Sequence, residues 1–149
     1  MTAGDAAHVP GPRPAEPSEA LTFELTGDAP DLAEARQWTG AALADLDEDA
    51  VTDAVLVVSE LVANAYEHGR HPLHLRLRRG PDLIRVEVTD LSPEVPVVGD
   101  SSVRPTRGRG MLLVEQLSRQ WGLVRHAVGK TVWAVLARSS LHPATALAD

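Results

Sequence analysis

Leu21, Phe23 and Leu25 alternate with polar residues, and this period of two predicts a strand that stops at Gly27 and Asp28. Beyond Pro30 the period changes. Asp31 is placed to cap a helix, and Leu32, Ala35, Trp38, Ala42 and Leu46 recur at helical spacing. Asp47, Glu48 and Asp49 mark a break and then the acidic first turn of a second helix. That helix carries Val51, Ala54, Val55, Val58, Leu61, Val62 and Ala65 on its apolar side and closes at Gly69, with Pro72 just beyond. Leu73, Leu75 and Leu77, then Ile84, Val86 and Val88, alternate with polar residues about a turn at Gly80, Pro81 and Asp82, which predicts a hairpin with one apolar and one wet face. From Leu91 to Arg107 no period is sustained, and a loop this long within a compact domain is often a functional lid. Gly108, Arg109 and Gly110 then open a helix through Met111, Leu112, Val114 and Leu117. Two final strands, near Trp121 to His126 and Thr131 to Ala137, flank a turn at Gly129.

The order strand, two helices, two strands, lid, helix, two strands predicts an α/β (α+β) two-layer sandwich. One mixed, mostly antiparallel sheet is covered by helices on one face. Residues 1–19, with Pro10, Pro12, Pro14 and Pro17, are too poor in apolar surface to offset their ordering entropy and are expected to form a disordered tail. The folded domain is expected over 20–138, with a flexible tail over 139–149. Aromatic residues make up only 3% of the chain, so the core must come from Leu, Val and Ala. A net charge of -7 argues against direct nucleic-acid binding, which needs Lys and Arg to neutralise phosphates. The absence of cysteine excludes disulfides, zinc ribbons and thiol nucleophiles. No signal peptide or membrane-length apolar run is present, and a cytoplasmic location without membrane contact is the expectation.

Glu60, Asn64 and His68 stand at i, i+4 and i+8 and share one stripe of the second helix. An amide oxygen such as that of Asn64 is a hard donor suited to Mg²⁺, and a carboxylate one turn away can accept a proton from a hydroxyl. The same spacing also describes an ordinary solvated helix face. His68, His71 and His74 are not expected to make a metal site, because Pro72 interrupts any shared helix face and no cysteine or paired carboxylate stands nearby. Gly108 and Gly110 around Arg109 allow close approach of a phosphate to a helix N-terminus, with Arg107 and Arg109 adding charge, although such a pattern is often only a turn. The P-loop pattern is absent, and the third glycine of the dinucleotide pattern is missing. Asp90, at the end of an apolar strand, can accept a hydrogen bond from an exocyclic amine or cap the following turn.

Taken together, the run from Ser59 to Gly69 resembles the N box of the GHKL ATP-binding superfamily of gyrase, histidine kinases and MutL. Its His-Gly ending is most similar to the anti-sigma factor serine/threonine kinases of the RsbW and SpoIIAB type. Asp90 falls at the G1-box aspartate, and Gly108 to Val114 looks like the G2 box that ends the ATP lid. Lys130 and Thr131 fall near a late-strand threonine that completes the adenine pocket in the family. The likeness spans roughly residues 21–137 and implies a Bergerat-type fold with ATP and Mg²⁺ as cofactors. It assigns Asn64 to Mg²⁺, Glu60 to the base that activates a partner's serine or threonine hydroxyl, and Asp90 and Thr131 to adenine. Arg107, Gly108, Arg109 and Gly110 would face the phosphates, with His68 supporting that side of the helix. The implied partners are a sigma factor and a small antagonist protein, with a homodimer as a family habit. The G1 box departs from Asp-x-Gly-x-Gly: Asp90-Leu91-Ser92-Pro93-Glu94 has neither glycine, which bears on turnover more than on binding. A module that docks a partner without turnover, with or without nucleotide, is therefore the alternative to a kinase.

Overall fold

The computed structural model describes residues 19–26, 30–68, 72, 74–91 and 105–139, with 19, 68 and 105–110 described by backbone alone. Strand β1 spans Glu19–Glu24, helix α1 Leu32–Ala42, helix α2 Glu48–His68, and strands β2 and β3 His74–Arg79 and Leu83–Asp90. Helix α3 spans Pro105–Leu117, and strands β4 and β5 span Gln120–Arg125 and Lys130–Ala137. The strands form one sheet in the order β1-β2-β3-β5-β4. Every pairing among the described residues is antiparallel, where the sequence left room for a mixed sheet. This is the α+β sandwich expected from the sequence. Of the expected tails at 1–19 and 139–149 and the expected lid at 91–107, residues 1–18, 140–149 and 92–104 lie outside the described residues, while Glu19 belongs to β1 and Pro105 to Arg107 to α3.

Period-two burial sets the two faces. Ile84, Val86 and Val88 of β3 and Val132, Ala134 and Leu136 of β5 join the core under the helices. Helix α2 meets them with Ala54, Val57, Val58, Leu61, Val62 and Ala65, all buried. Each Val or Leu so buried contributes about 1.5–3 kcal/mol relative to exposure, so this stripe anchors the helix against the sheet. Helix α1 packs on α2 and β1, and α3 packs on α2 and β4. Asp31 caps α1 as expected, accepting from the Glu34 amide at 3.0 Å. The helix itself ends at Ala42, short of Leu46. Leu43 and Leu46 reach the core from a turn in which the Leu46 amide bonds the Leu43 carbonyl at 2.9 Å, so their apolar spacing survives without the helix.

The opposite sheet face carries charge. Glu87 accepts from Arg78 at 3.2 Å and from Arg85 at 2.7 Å. The Arg85 guanidinium lies 4.6 Å over the ring of Trp133, which is fully buried although it points away from the helices. Strand β5 is thus buried on both faces, unlike the half-wet hairpin of β2 and β3.

The β4–β5 turn closes through the His126 amide and the Gly129 carbonyl at 3.0 Å. Gly129 has a φ of 86°, and a Cβ added there would stand 2.1 Å from the Asp90 carbonyl oxygen. Only glycine fits, because the left-handed backbone and the neighbouring strand end both exclude a side chain. Gly129→Ala is expected to lower stability by at least about 1–2 kcal/mol, the left-handed penalty alone, as read from the urea midpoint.

Candidate functional site

Several chain segments are directed to one end of the sheet for topological reasons. β3 ends there at Asp90, paired with Lys130, the first residue of β5. β2 also begins there, since His74 pairs with Thr89. Helix α2 runs out at His68 and the chain enters β2 at His74, six residue steps on, so at most about 20–22 Å separates the helix end from this end of the sheet. Helix α3 ends two residues before β4, whose first residue pairs with Val135 near the far end of β5. Its N-terminal turn is therefore the end remote from that point.

On α2, Glu60 and Asn64 are half-buried, between the buried Leu61 and Ala65 on one side and the exposed Leu56 and Glu67 on the other. A solvated face would be open, whereas these side chains sit at the border of the core. Among the described residues neither makes a side-chain hydrogen bond or ion pair. Arg36 of α1 donates to Ser59 at 2.6 Å and so ties the two helices together one residue before Glu60. His68 ends the helix, and its side chain lies outside the described residues.

Asp90 is not a solvated turn cap. Its carboxylate accepts from the Lys130 ammonium at 3.1 and 3.2 Å, and both side chains are 2% exposed. Burying either charge alone is costly, and each offsets the other's burial in the core layer. Thr131, assigned to the adenine pocket by resemblance, is not brought to Asp90. It lies one residue along β5 and points to the opposite face, where its hydroxyl meets Thr89 at 2.7 Å and the His126 ring at 2.8 Å. Strand alternation is the reason: adjacent residues occupy opposite faces, and the register puts Lys130 rather than Thr131 beside Asp90. The lysine was the residue that sequence reasoning left without a role.

Gly108, Arg109 and Gly110 were expected to precede their helix. Instead α3 already starts at Pro105, so they lie inside it. Proline suits a first helical position, because its fixed φ is helical and its missing N–H would be unpaired there anyway. The unpaired amides of the first turn then belong to Thr106 and Arg107 rather than to the glycines. The side chains of Arg107 and Arg109 lie outside the described residues. Among the described residues no group of three or more His, Asp or Glu side chains could hold a metal ion, so any cation would rest on a sparse donor set such as the Asn64 amide. No helix among the described residues is long and apolar enough to cross a membrane.

A helix layer over an antiparallel sheet, with a half-buried polar helix stripe and a buried strand-end carboxylate, makes an α+β sandwich. The family model of the histidine kinase-like ATPase domain matches residues 25–136, and the chain belongs to that family. Its ligand class is ATP. No curated protein matches the sequence. Among solved structures, the chain is similar to the RsbU and RsbW domains of a Mycobacterium tuberculosis protein, at 20% identity and a TM-score of 0.50. That match covers 80% of this chain and 32% of the other, so the chain spans about a third of it. At this identity the likeness shows the fold.

On the open sheet face, burial pushes the His74 imidazole below the ordinary histidine range, and Arg76 adds to the effect while Glu24 and Glu87 oppose it. A depressed folded value means that the unfolded chain takes up the proton first. Stability is therefore complete above the ordinary histidine range and falls as pH drops through it. Asp45, held below the usual carboxylate range by its hydrogen bonds from Arg79, loses its contribution only in more acid solution. His74→Gln is expected to flatten the stability loss between about pH 7 and pH 5.5, where histidines titrate, in urea midpoints taken across that window.

Proposed function

We propose that the domain binds ATP with Mg²⁺ and acts as a serine/threonine kinase on a small antagonist protein, while sequestering a sigma factor in its other state. The observation that carries this reading is the half-buried stripe of Glu60 and Asn64 on α2, on the helix from which the chain enters β2. Asp90 accepts the exocyclic amine of adenine. The α3 N-terminus, with its unpaired amides and Arg107 and Arg109, faces the phosphates. Mg²⁺ held by the Asn64 amide oxygen would neutralise phosphate charge.

Glu60 takes the proton of a partner's serine or threonine hydroxyl. That oxygen forms a bond to the γ-phosphorus, the bond to the bridging oxygen breaks, and ADP leaves with the electron pair. Such transfer needs mainly positioning and charge neutralisation, which a few residues can supply. The RsbW domain named in the similar structure supports the choice of partners. The sequence Leu91-Ser92-Pro93 in place of a glycine-rich G1 box favours a second reading, in which ATP sets the shape of a docking surface without turnover.

Isothermal titration of the chain with ATP, with and without Mg²⁺, tests the reading. Asn64→Ala is expected to abolish Mg²⁺-dependent binding while its circular dichroism stays native, because the residue lies outside the fully buried stripe. Unchanged binding would remove Asn64 from the site. Glu60→Ala is expected to retain ATP while phosphate transfer to the antagonist protein falls by about 10²–10⁴-fold, the usual worth of a general base. Equal transfer by the variant would remove Glu60 from the chemistry. ATP binding with no transfer by the unaltered chain would leave the docking reading.

A further inference from the structure

The strand-end ion pair offers more than a carboxylate. Asp90 presents an acceptor and Lys130, 3.1 Å away, presents a donor, side by side in the same buried layer. The edge of adenine carries the complementary pair: its exocyclic amine donates, and the adjacent ring nitrogen N1 accepts. We propose that Lys130 is a base-reading residue, donating to adenine N1 while Asp90 accepts from the amine. The proposal rests on the ATP reading and deepens it.

Three features of the chain carry it. The register places Lys130 directly opposite Asp90, on the helix side of the sheet, so both groups face the same side. Gly129 presses the β4–β5 turn against the Asp90 carbonyl and fixes where β5 begins, and with it the ammonium. Both side chains are almost wholly withdrawn from water, so a hydrogen bond to either discriminates strongly: an unmet buried donor or acceptor keeps its full desolvation cost. Binding is an exchange. One contact between ammonium and carboxylate gives way, the carboxylate oxygen accepts from the amine, and the ammonium hydrogen turns to N1. Both protein charges stay compensated throughout, which a lone buried aspartate could not achieve.

The test uses the full chain, Mg²⁺, ATP and 1-deaza-ATP, in which N1 is replaced by a C–H group and the amine is kept. The unaltered chain is expected to bind 1-deaza-ATP about ten- to a hundredfold more weakly than ATP, the worth of one charge-assisted hydrogen bond. Because Lys130→Met alone removes the ammonium beside a buried carboxylate and endangers folding, the informative variant joins Lys130→Met to Asp90→Asn, which removes both charges. This double variant, native by circular dichroism, is expected to bind the two nucleotides within about twofold of each other. A purely structural lysine would lower both affinities and leave their ratio unchanged, and a retained ratio overturns the proposal. So does an unaltered chain that binds both nucleotides equally. Failure of the unaltered chain to bind ATP at all would instead end the ATP reading on which the proposal stands.

Discussion

The contact between the apolar stripe of α2 and the centre of the sheet governs this molecule. Val57, Val58, Leu61 and Val62 are buried against a layer drawn from β3 and β5, and that contact fixes the rotation of the helix about its axis. Once the rotation is fixed, the positions flanking the stripe have no freedom. Glu60 and Asn64 must stand at the border between core and solvent, where a polar group is partly desolvated but still reachable. The same hydrophobic burial that stabilises the domain therefore sets the distance of its candidate chemistry from water. The bond from Arg36 to Ser59 adds a polar tie to α1 at the same point of the helix.

The second constraint is electrostatic and sits at one strand end. A carboxylate and an ammonium, both almost fully withdrawn from water, stand in direct contact, and each offsets the other's burial. Their geometry depends on the β3–β5 register and on Gly129, whose left-handed backbone lets the preceding turn close against Asp90. The charges on the opposite face behave differently. There Arg78, Arg85 and Glu87 are part-exposed, and their contacts are correspondingly softer and more sensitive to salt. Two faces of one sheet thus hold charge in two regimes, one specific and one screened.

Most of the architecture was legible in the sequence because it follows from local periodicity. The alternation of Ile84, Val86 and Val88 and the helical recurrence from Ala54 to Ala65 require no knowledge of partners. Boundaries were less legible where two local rules competed. At α3, the glycines at 108 and 110 suggested a turn, but Pro105 was already suited to the first helical position. At α1, the helical spacing continued to Leu46 although the helix stops at Ala42, since a turn can deliver Leu43 and Leu46 to the same core.

By itself the sequence determined the order of elements, the apolar faces, and the helix that bears Glu60 and Asn64. Those properties depend on neighbours within a few residues. Tertiary structure alone decided which residue accompanies Asp90. β3 and β5 are separated in the chain by a helix and a further strand, so their register is written in no local pattern. A shift of one residue exchanges the faces of a strand, and that single step separates Thr131, bonded to Thr89 on the open side, from Lys130, paired with Asp90 beneath the helices.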